Sequence, residues 1–340
     1  MTKILFYPSG DRELPSSHLR VWEVADELER LGFNVTTVDP TLPDPTKRAY
    51  LDLLEAGSIV YVQKISQRFH KPEYFEPYLN KFTIIYDVDD FHAGLDDDMM
   101  SMVDTVVAGS HYIADYASQF NSNVCLNCSI TDTEIYSYAD RSVKPIDEPI
   151  RIVWTESYAN AYLEDLTLIE RPMRKMYEKY NIEFTLQGLR QNSFIRNPKY
   201  HNLVVKFLHM FPYAKIQKFM PLDLFLVEGV GLIRNSDIGI IPFKPDRLGK
   251  AGQNIRSLMS AGLGVIGTPG NEHEHIITHG ETGFLASSEE EWEQALEKLI
   301  TDRELRLRMG RKASDHILST YSRAQYMSKI IKILDLPKTS

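Results

Sequence analysis

The chain has 340 residues, of which 43% are hydrophobic and 25% are charged, a composition typical of globular proteins rather than disordered ones. Its formal net charge of -9 argues against nucleic acid as the main partner, because binding to phosphate groups needs clustered Lys and Arg. No apolar run approaches the roughly 20 residues of a membrane span. The simplest interpretation is a cytoplasmic protein, and attachment to the inner face of a membrane stays open.

Short β-rich runs alternate with amphipathic segments along the first part of the chain. Six of these runs are predicted strands: Lys3–Tyr7, Asn34–Val38, Ile59–Gln63, Phe82–Val88, Thr105–Ala108 and Asn123–Leu126. Between the first two, apolar residues repeat every three positions, which predicts a helix with Ser16 or Ser17 as N-cap and Gly32 at its end. Strands that alternate with helices predict a parallel, doubly wound sheet.

The segment Ser142–Pro149 contains two prolines and mixed charges, and it indicates a linker. The alternation then restarts, and five further strands are predicted: Ile150–Trp154, Ile182–Gln187, Leu203–Phe207, Ile238–Pro242 and Gly264–Gly267. Helical patterns cover Leu163–Tyr180, Leu222–Asn235 and Gln253–Ala261. We therefore expect an N-terminal α/β domain over 1–145 and a second over 146–320, with a cleft between two Rossmann-like sheets. Ligands bind at the carboxyl ends of such strands.

Four segments of the second half occur in an informative order: SDIGIIPF (Ser236–Phe243), KAGQNIRSLMSAGLGVIGTPG (Lys250–Gly270), HGETGFLASSEEEWEQALEKLI (His279–Ile300) and RMGRKASDHILSTYS (Arg308–Ser322). Together they resemble the donor-binding domain of the family-4 retaining glycosyltransferases, which have the GT-B fold. In the first half, IIYDVDD (Ile84–Asp90) and VDTVVAGSHYIADYA (Val103–Ala117) are similar to the acceptor domains of one branch. The segment Arg323–Leu336, within the predicted C-terminal element 321–340, resembles the helix that crosses back to the first domain in this fold.

The resemblance implies a nucleoside-diphosphate sugar as the donor substrate, with no metal and no other cofactor. It leaves the acceptor open among a glycan, a lipid-linked sugar, a protein and a nucleic-acid base. The residues that it implies as donor-binding are Gly10, Ser157, Arg190, Gly249, Lys250, Ala251, Gly252, Asn254 and Ser257. His92 and Lys250 are the implied catalytic groups, and Arg20 and Asp89 are expected on the acceptor side.

The loop before the helix at Gln253 has the chemistry that a diphosphate needs. Gly249 and Gly252 let the backbone approach a ligand, and Lys250 adds a positive charge. A helix N-terminus with unpaired N–H groups stabilises the charge that develops on a leaving phosphate. The alternative interpretation of these residues is an ordinary loop–helix junction with a solvated lysine.

The chain departs from the family at two donor-binding positions. Family members usually carry two glutamates separated by seven residues, and alignment on MSAGLGVIG puts Gly249 and Ser257 there. One branch keeps lysines on this segment, which Lys250 fits, with Asn254 where a second lysine is common. The family's Arg and Lys after the first strand of this domain are also missing, since IVWTESYAN offers Ser157 and Asn160. Diphosphate binding would then depend on Lys250, assisted by Arg190 or Arg256.

Other polar groups of the sequence have competing interpretations. Arg20 could contact the acceptor or the diphosphate, or be an ordinary surface arginine. The D-x-D spelled by Asp87 and Asp89 is a metal–diphosphate motif in another glycosyltransferase fold, but acceptor contact or local hydrogen bonding is favoured here. His275 and His279 have the spacing of helical metal ligands, yet no third ligand lies nearby.

A lone C-x-x-C, Cys125 and Cys128, lacks the second pair of ligands that a structural zinc needs, and buried structural thiols are the favoured interpretation.

The sequence thus predicts a glycosyltransferase that acts with retention. Three alternatives stay open. An inverting transferase would need Asp89 or His92 as a base, a sugar-nucleotide epimerase would need no acceptor, and a non-catalytic partner subunit would keep only the scaffold.

Overall fold

The computed structural model describes residues 2–64, 72–89, 94, 96–156, 162–189, 205–221, 224–244, 247, 249–270 and 272–337. It divides into two compact units. The first comprises Met1–Ile130, Gly249–Ala251 and Arg323–Ser340, and the second comprises Thr131–Leu248 and Gly252–Ser322. Each unit is built on one six-stranded sheet. The domain boundaries expected from the sequence, at 145/146 and 320/321, differ from the boundaries of these two units and stay predictions.

The first sheet is parallel throughout and has the order β2-β1-β3-β4-β5-β6. Its strands are β1 Lys3–Tyr7, β2 Asn34–Thr37, β3 Ile59–Gln63, β4 Thr83–Val88, β5 Thr105–Ala108 and β6 Val124–Leu126. All six predicted strands are present, each within one residue of its predicted bounds. β3 and β5 are buried at every position, as expected for parallel strands that are covered on both faces.

Helices and short helical turns connect these strands. They are α1 Pro15–Ser17, a π turn at His18–Trp22, α2 Glu23–Arg30, α3 Asp44–Asp52, 3-10 turns at Pro72–Tyr74 and Glu76–Tyr78, α4 Asp97–Met102 and α5 His111–Ala117. The predicted cap at Ser16 or Ser17 is wrong, because the helix begins two or three residues earlier, with Leu14 as N-cap. Ser17 lies inside the helix, where its hydroxyl donates to Gln63 at 2.8 Å. Gly32 ends the helix as predicted, with a φ of 88°.

The second sheet is also parallel, with the order β12-β11-β10-β7-β8-β9. Its strands are β7 Ile150–Thr155, β8 Ile182–Leu189, β9 Lys215–Lys218, β10 Ile238–Ile241, β11 Gly264–Gly267 and β12 Phe284–Leu285. Counted from β7, this is the order 3-2-1-4-5-6 of dinucleotide-binding folds. The predicted strand at Leu203–Phe207 is wrong, because residues 205–210 are helical and the third strand is β9. The apolar run VVKFLHMF had the length of a buried strand, which periodicity does not distinguish from a short helix.

The helical elements around the second sheet follow the predicted alternation. They are a 3-10 turn at Leu163–Ile169, α6 Glu170–Lys179, a π turn at Phe225–Gly229, α7 Val230–Arg234, α8 Gln253–Ser260, α9 His273–Ile276, α10 Glu289–Thr301 and α11 Arg303–Tyr321. α10 begins with a capping box between Ser288 and Glu291. Across the described ranges, no helix is both long enough and apolar enough to cross a membrane.

The last helix, α12 Arg323–Ile333, belongs to the first unit. Its residues Tyr326, Met327 and Ile330 are buried in the apolar cluster that also contains the inward side chains of β1 and α2. Arg323 forms an ion pair with one carboxylate oxygen of Glu23 at 2.6 Å, and His18 contacts the other oxygen at 3.0 Å. Apolar packing and one shared carboxylate therefore attach the C-terminal helix to α2.

The predicted linker at Ser142–Pro149 is anchored to the second unit by the residues at its start. The guanidinium of Arg141 is buried and donates to backbone carbonyls of Arg234, Ser236, Ala261 and Gly262 at 2.5–3.2 Å. Arg141 thereby satisfies carbonyl groups at the C-terminal ends of α7 and α8, which have no partner within their own helices. Burial lowers the pKa of Arg141 to about 10, so the group still carries its charge at neutral pH.

We predict that Arg141→Ala lowers the free energy of unfolding of the second unit by about 3 kcal/mol or more, because several buried carbonyls lose a charged donor. Urea titration followed by tryptophan fluorescence measures this, since two of the three tryptophans, Trp154 and Trp292, lie in that unit. The matched control is Arg151→Ala, whose partly exposed guanidinium pairs with Glu148 and Glu183, and which should cost less than about 1 kcal/mol. Equal losses in the two variants would contradict the role of Arg141.

The attachment of α12 is expected to weaken in acid. Burial opposes the charge of Glu23, but the hydrogen bonds from His18 and Arg323 outweigh it and lower the pKa of Glu23 below its ordinary 4.5. A lowered folded-state pKa means that the stabilisation is complete above pH 4.5 and is lost as the pH falls through the lowered value. The Tm difference between the wild type and Glu23→Gln should therefore be larger at about pH 5.5 than at about pH 3. A Tm difference between the wild type and Glu23→Gln that is larger at about pH 3 than at about pH 5.5 would contradict this role of Glu23.

Candidate functional site

In the first sheet, the strand order reverses between β1 and β3. Open α/β sheets bind ligands at the carboxyl ends of the strands at such a switch point. Gly10, predicted to bind the donor, lies just after β1 and is partly buried. Its carbonyl accepts a hydrogen bond from Nε1 of Trp22 at 3.1 Å. A Cβ at position 10 would lie 2.5 Å from Cδ2 of Leu14, so any side chain there would require Leu14 to move. On the neighbouring strand, Gln63 accepts a hydrogen bond from the backbone N–H of Ser9 at 3.1 Å.

Arg20 is fully buried, so the interpretation as a surface arginine is wrong. Its Nε and Nη2 donate to the two carboxylate oxygens of Asp87 at 2.5 and 2.9 Å. Its Nη1 donates to the carbonyl of Asn127 at 3.2 Å and to Oγ of Ser129 at 3.1 Å. Burial opposes the charge of Arg20, but the carboxylate of Asp87 outweighs it and holds the pKa of Arg20 well above its ordinary value. Arg20 therefore supports the strand ends, and its direct contact with acceptor or diphosphate stays a prediction.

Asp89, the other predicted acceptor-side residue, forms an ion pair with Lys64 across the ends of β3 and β4. The Lys64 ammonium lies 3.1 Å from Oδ1 of Asp89, and the backbone N–H of Lys64 donates to the carbonyl of Asp87 at 2.7 Å. Both side chains are largely buried, at 15% and 8% exposure. Sequence reasoning missed Lys64, although a lysine directly after a buried strand is a recognisable signal.

The D-x-D run thus has ionic partners inside the protein. The oxygens of Asp87 accept hydrogen bonds from Arg20 and from the hydroxyl of Tyr61, and Asp89 is paired with Lys64. This arrangement favours local pairing over the metal interpretation of the run. Throughout the part of the chain that the structure describes, no group of three or more His, Cys, Asp or Glu side chains could hold a metal ion.

The segment Gly249–Ala251 belongs to the first unit, although the chain before and after it belongs to the second. Gly249 is buried and has a φ of 78°, a left-handed conformation that favours glycine. Its carbonyl accepts a hydrogen bond from the hydroxyl of Ser110 at 3.3 Å. Lys250 is half-buried. The predicted lysine and glycine therefore lie in the same unit as Gly10 and Asp89.

Three further predicted donor-binding residues, Gly252, Asn254 and Ser257, are the N-cap of α8 or lie within it, in the second unit. Gly252 is the N-cap, with a φ of 65°, and a Cβ there would lie 2.5 Å from Ile276. Nδ2 of Asn254 donates to the carbonyl of Thr155, the last residue of β7, at 3.2 Å. The order of the second sheet changes direction between β7 and β10. The N-terminus of α8 therefore lies at the switch point, with no acidic residue in its first turn.

Two side chains of α8 point into the protein. Ser257 is buried and hydrogen-bonded to Tyr136, and burial raises the pKa of that tyrosine to about 12. Arg256 is also buried, with Nε donating to Thr131 at 3.2 Å and its guanidinium 5.2 Å from the ring centre of Tyr321. The contact of Ser257 with a ribose stays a prediction. The proposed help of Arg256 in binding the diphosphate also stays a prediction.

A buried carboxylate follows β7 and was missed by sequence reasoning. Glu156 is 2% exposed, and its backbone N–H donates to the carbonyl of Gln187 at 3.2 Å. The side chains of Thr155 and Gln187 are hydrogen-bonded beside it. An acidic residue directly after an apolar strand, in IVWTES, was the available signal. Glu156 thus adds a buried carboxyl group at the carboxyl end of β7, where Asn254 of α8 contacts Thr155.

Three predicted site residues, His92, Ser157 and Arg190, lie outside the described residues, as do Asp90 and Asn160.

The histidine pair His275 and His279 does not share a helix, because α9 ends at Ile276. Nδ1 of His279 accepts a hydrogen bond from the backbone N–H of Leu285 instead. Cys128 is buried and Cys125 is partly buried, and burial raises the pKa of Cys125, which disfavours a reactive thiolate.

Comparison with known proteins gives a fold and no sequence family. No family model matches the sequence, and no curated protein matches it. Among solved structures, a glycosyltransferase from Rickettsia africae is similar, with 14% identity, 98% of both chains covered and a TM-score of 0.72. Sucrose-phosphate synthase from Thermosynechococcus elongatus has 12% identity over 98% of both chains and a TM-score of 0.73. HepE from Anabaena, solved with UDP and glucose, has 12% identity over 98% of this chain and 100% of its own, with a TM-score of 0.69.

These similarities span nearly the whole chain and include both parallel sheets. The fold is GT-B, as the sequence predicted.

We predict that Asp87→Asn lowers the free energy of unfolding by about 3–5 kcal/mol, because it leaves the buried Arg20 without its carboxylate. Thermal and urea unfolding of the purified variant measure the loss. The matched control is Asp26→Asn, which breaks a bidentate pair with Arg12 whose side chains are both 52% exposed, and which should cost under about 1 kcal/mol. Similar losses of unfolding free energy in the two variants would show that the buried ion pair stabilises the fold no more than an exposed one.

Proposed function

We propose that the protein is a glycosyltransferase that moves a sugar from a nucleoside diphosphate to an acceptor. The observation that carries the proposal is the match to solved glycosyltransferases over 98% of the chain, with both sheets included. Low sequence identity restricts this match to the fold, so the local chemistry has to support the activity. That chemistry is the Gly249–Gly252 loop followed by the N-terminus of α8.

The loop and α8 suit a diphosphate. Lys250 supplies a positive charge, Gly249 and Gly252 have left-handed φ values that bring the backbone close without side chains, and α8 begins at the switch point of its sheet. The first N–H groups of a helix have no partner within it and attract anions. HepE has been solved with UDP and with UDP-glucose, so UDP-glucose is the first donor to test and UDP is the first nucleotide to test for binding.

The proposed reaction retains the configuration of the transferred sugar. The leaving phosphate oxygen accepts the proton of the attacking hydroxyl, so the protein mainly positions the substrates and stabilises negative charge. Lys250 is the proposed charge-stabilising group, and His92 is the proposed contact to the donor sugar. The reaction as proposed uses no metal. Inversion would instead require a base such as Asp89 or His92, and NMR of the anomeric product distinguishes the two outcomes.

The acceptor side is proposed at the carboxyl ends of β3 and β4. Lys64 offers donors and Asp89 offers acceptors there, a combination that suits hydroxyl groups. A glycan, a lipid-linked sugar, a protein and a nucleic-acid base are all compatible acceptor classes. A cytoplasmic enzyme, including one attached to the inner membrane face, stays the prediction from the sequence.

A panel of nucleoside-diphosphate sugars, scored by thermal shift, tests the proposal directly. A donor at about 100 times its Kd stabilises the protein by about 2.7 kcal/mol and raises its Tm accordingly. A hit that is consumed without an acceptor and yields an isomeric donor supports the epimerase. A chain that binds no member of the panel supports the non-catalytic subunit, for which the altered positions Gly249 and Ser257 are the favouring observation.

We predict that Lys250→Ala weakens binding of the panel hit by roughly ten- to a hundred-fold, the value of a charge-assisted hydrogen bond of about 1.5–3 kcal/mol. Calorimetry with the wild type and the variant measures the change. Lys312→Ala is the matched control, since its ammonium pairs with Glu281 on the exposed side of α11 and should leave binding unchanged. Equal donor affinities of the wild type and the Lys250→Ala variant would contradict the proposed donor site at Lys250.

A further inference from the structure

Ser110 makes two hydrogen bonds with a single hydroxyl group. It is the N-cap of α5, and its Oγ accepts a hydrogen bond from the backbone N–H of Ile113 at 3.2 Å. The same Oγ lies 3.3 Å from the carbonyl oxygen of Gly249, 139 residues away along the chain and in the same unit. A hydroxyl has one hydrogen to donate, and a carbonyl can only accept, so that hydrogen points to Gly249.

This contact orients the peptide bond at the start of the proposed phosphate loop. A trans peptide is planar, so the carbonyl of Gly249 and the N–H of Lys250 point in opposite directions. When the carbonyl faces Ser110, the N–H of Lys250 faces away from α5. The φ of 78° at Gly249 belongs to the same conformation, which a residue with a side chain adopts only with strain.

Ser110 itself is buried and lies beside Asp89, one of the proposed acceptor-side residues. It is 1% exposed, and its neighbour Gly109 packs so closely on β4 that a Cβ there would lie 2.9 Å from Cα of Asp89. The backbone N–H of Gly109 also donates to the carbonyl of Val88 at 2.7 Å. Ser110 therefore relates the Gly249–Ala251 segment to the end of β4, where Asp89 lies.

We propose that Ser110 is a positioning residue for the donor diphosphate. Its hydroxyl holds the carbonyl of Gly249 so that the amide and the ammonium of Lys250 are arranged for the phosphate groups before the donor binds. This role deepens the proposed function and rests on it. Preorganisation of this kind raises affinity because the loop does not have to be ordered during binding.

The test compares Ser110→Ala with Ser110→Thr and Ser288→Ala. The alanine variant at 110 removes both hydrogen bonds, whereas threonine keeps a hydroxyl that can make them. Ser288 is also a serine N-cap, on α10, with its Oγ accepting from Glu291 and no described contact to the loop. Both alanine variants should lose about 1 kcal/mol of stability from the missing cap, so Ser288→Ala controls for capping.

Two measurements separate the proposal from the function on which it rests. Hydrogen–deuterium exchange of the peptide that covers Gly249–Ala251 measures, without any ligand, how far the hydrogen bond from Ser110 orders this segment. We expect faster exchange in Ser110→Ala, and wild-type exchange in Ser110→Thr and Ser288→Ala. Calorimetry with UDP reads the consequence, and we expect a roughly two- to ten-fold weaker Kd in Ser110→Ala only, the value of one ordinary hydrogen bond.

Unchanged exchange at Gly249–Ala251 in Ser110→Ala would overturn the proposal, as would faster exchange confined to α5. Faster exchange with an unchanged Kd for UDP would also overturn it, because the contact would then order the loop without serving the donor. A wild-type chain that binds neither UDP nor any donor of the panel contradicts the proposed function itself, while the exchange measurement still decides whether Ser110 orders the loop.

Discussion

The buried ion pair between Arg20 and Asp87 holds together the edge of the first sheet at which the candidate acceptor-side residues lie. Arg20 comes from the π turn, Asp87 from the end of β4, and the other acceptors of Arg20 come from the segment after β6. A charged group without water needs every one of these partners, because its desolvation costs several kcal/mol. Lys64 and Asp89 are one residue beyond the strands that this pair fixes, so their geometry depends on it.

Most of the fold could be predicted from the sequence because parallel strands are continuous apolar runs with clear boundaries. The run at Leu203–Phe207 was the exception, since its length suits a strand and a short helix equally. Ser16 and Ser17 failed as caps for a different reason. Pro15 can occupy the first turn of a helix without needing a hydrogen bond, which moves the start of the helix upstream of both serines.

The candidate site was less accessible to sequence reasoning, because its residues meet through tertiary contacts. Nothing local marks Arg20 as buried, since its partner Asp87 lies 67 residues away. Ser110 and Gly249 are separate motifs in the sequence, and only the folded chain joins them. The position of Asn254 at the end of β7 likewise depends on the strand order of the second sheet. Gly249 and Gly252 were the exception, since glycines in this loop were expected to bring the backbone close to a ligand, and both have a positive φ.

The left-handed backbone at Gly249 limits which residues this position can hold. A residue with a side chain at a φ of 78° would be strained by about 1–2 kcal/mol, and a glutamate is no exception. Relief of that strain would require the backbone at position 249 to turn, which would move its carbonyl away from the hydroxyl of Ser110. The lack of a side chain at position 249 and the hydrogen bond from α5 therefore depend on each other.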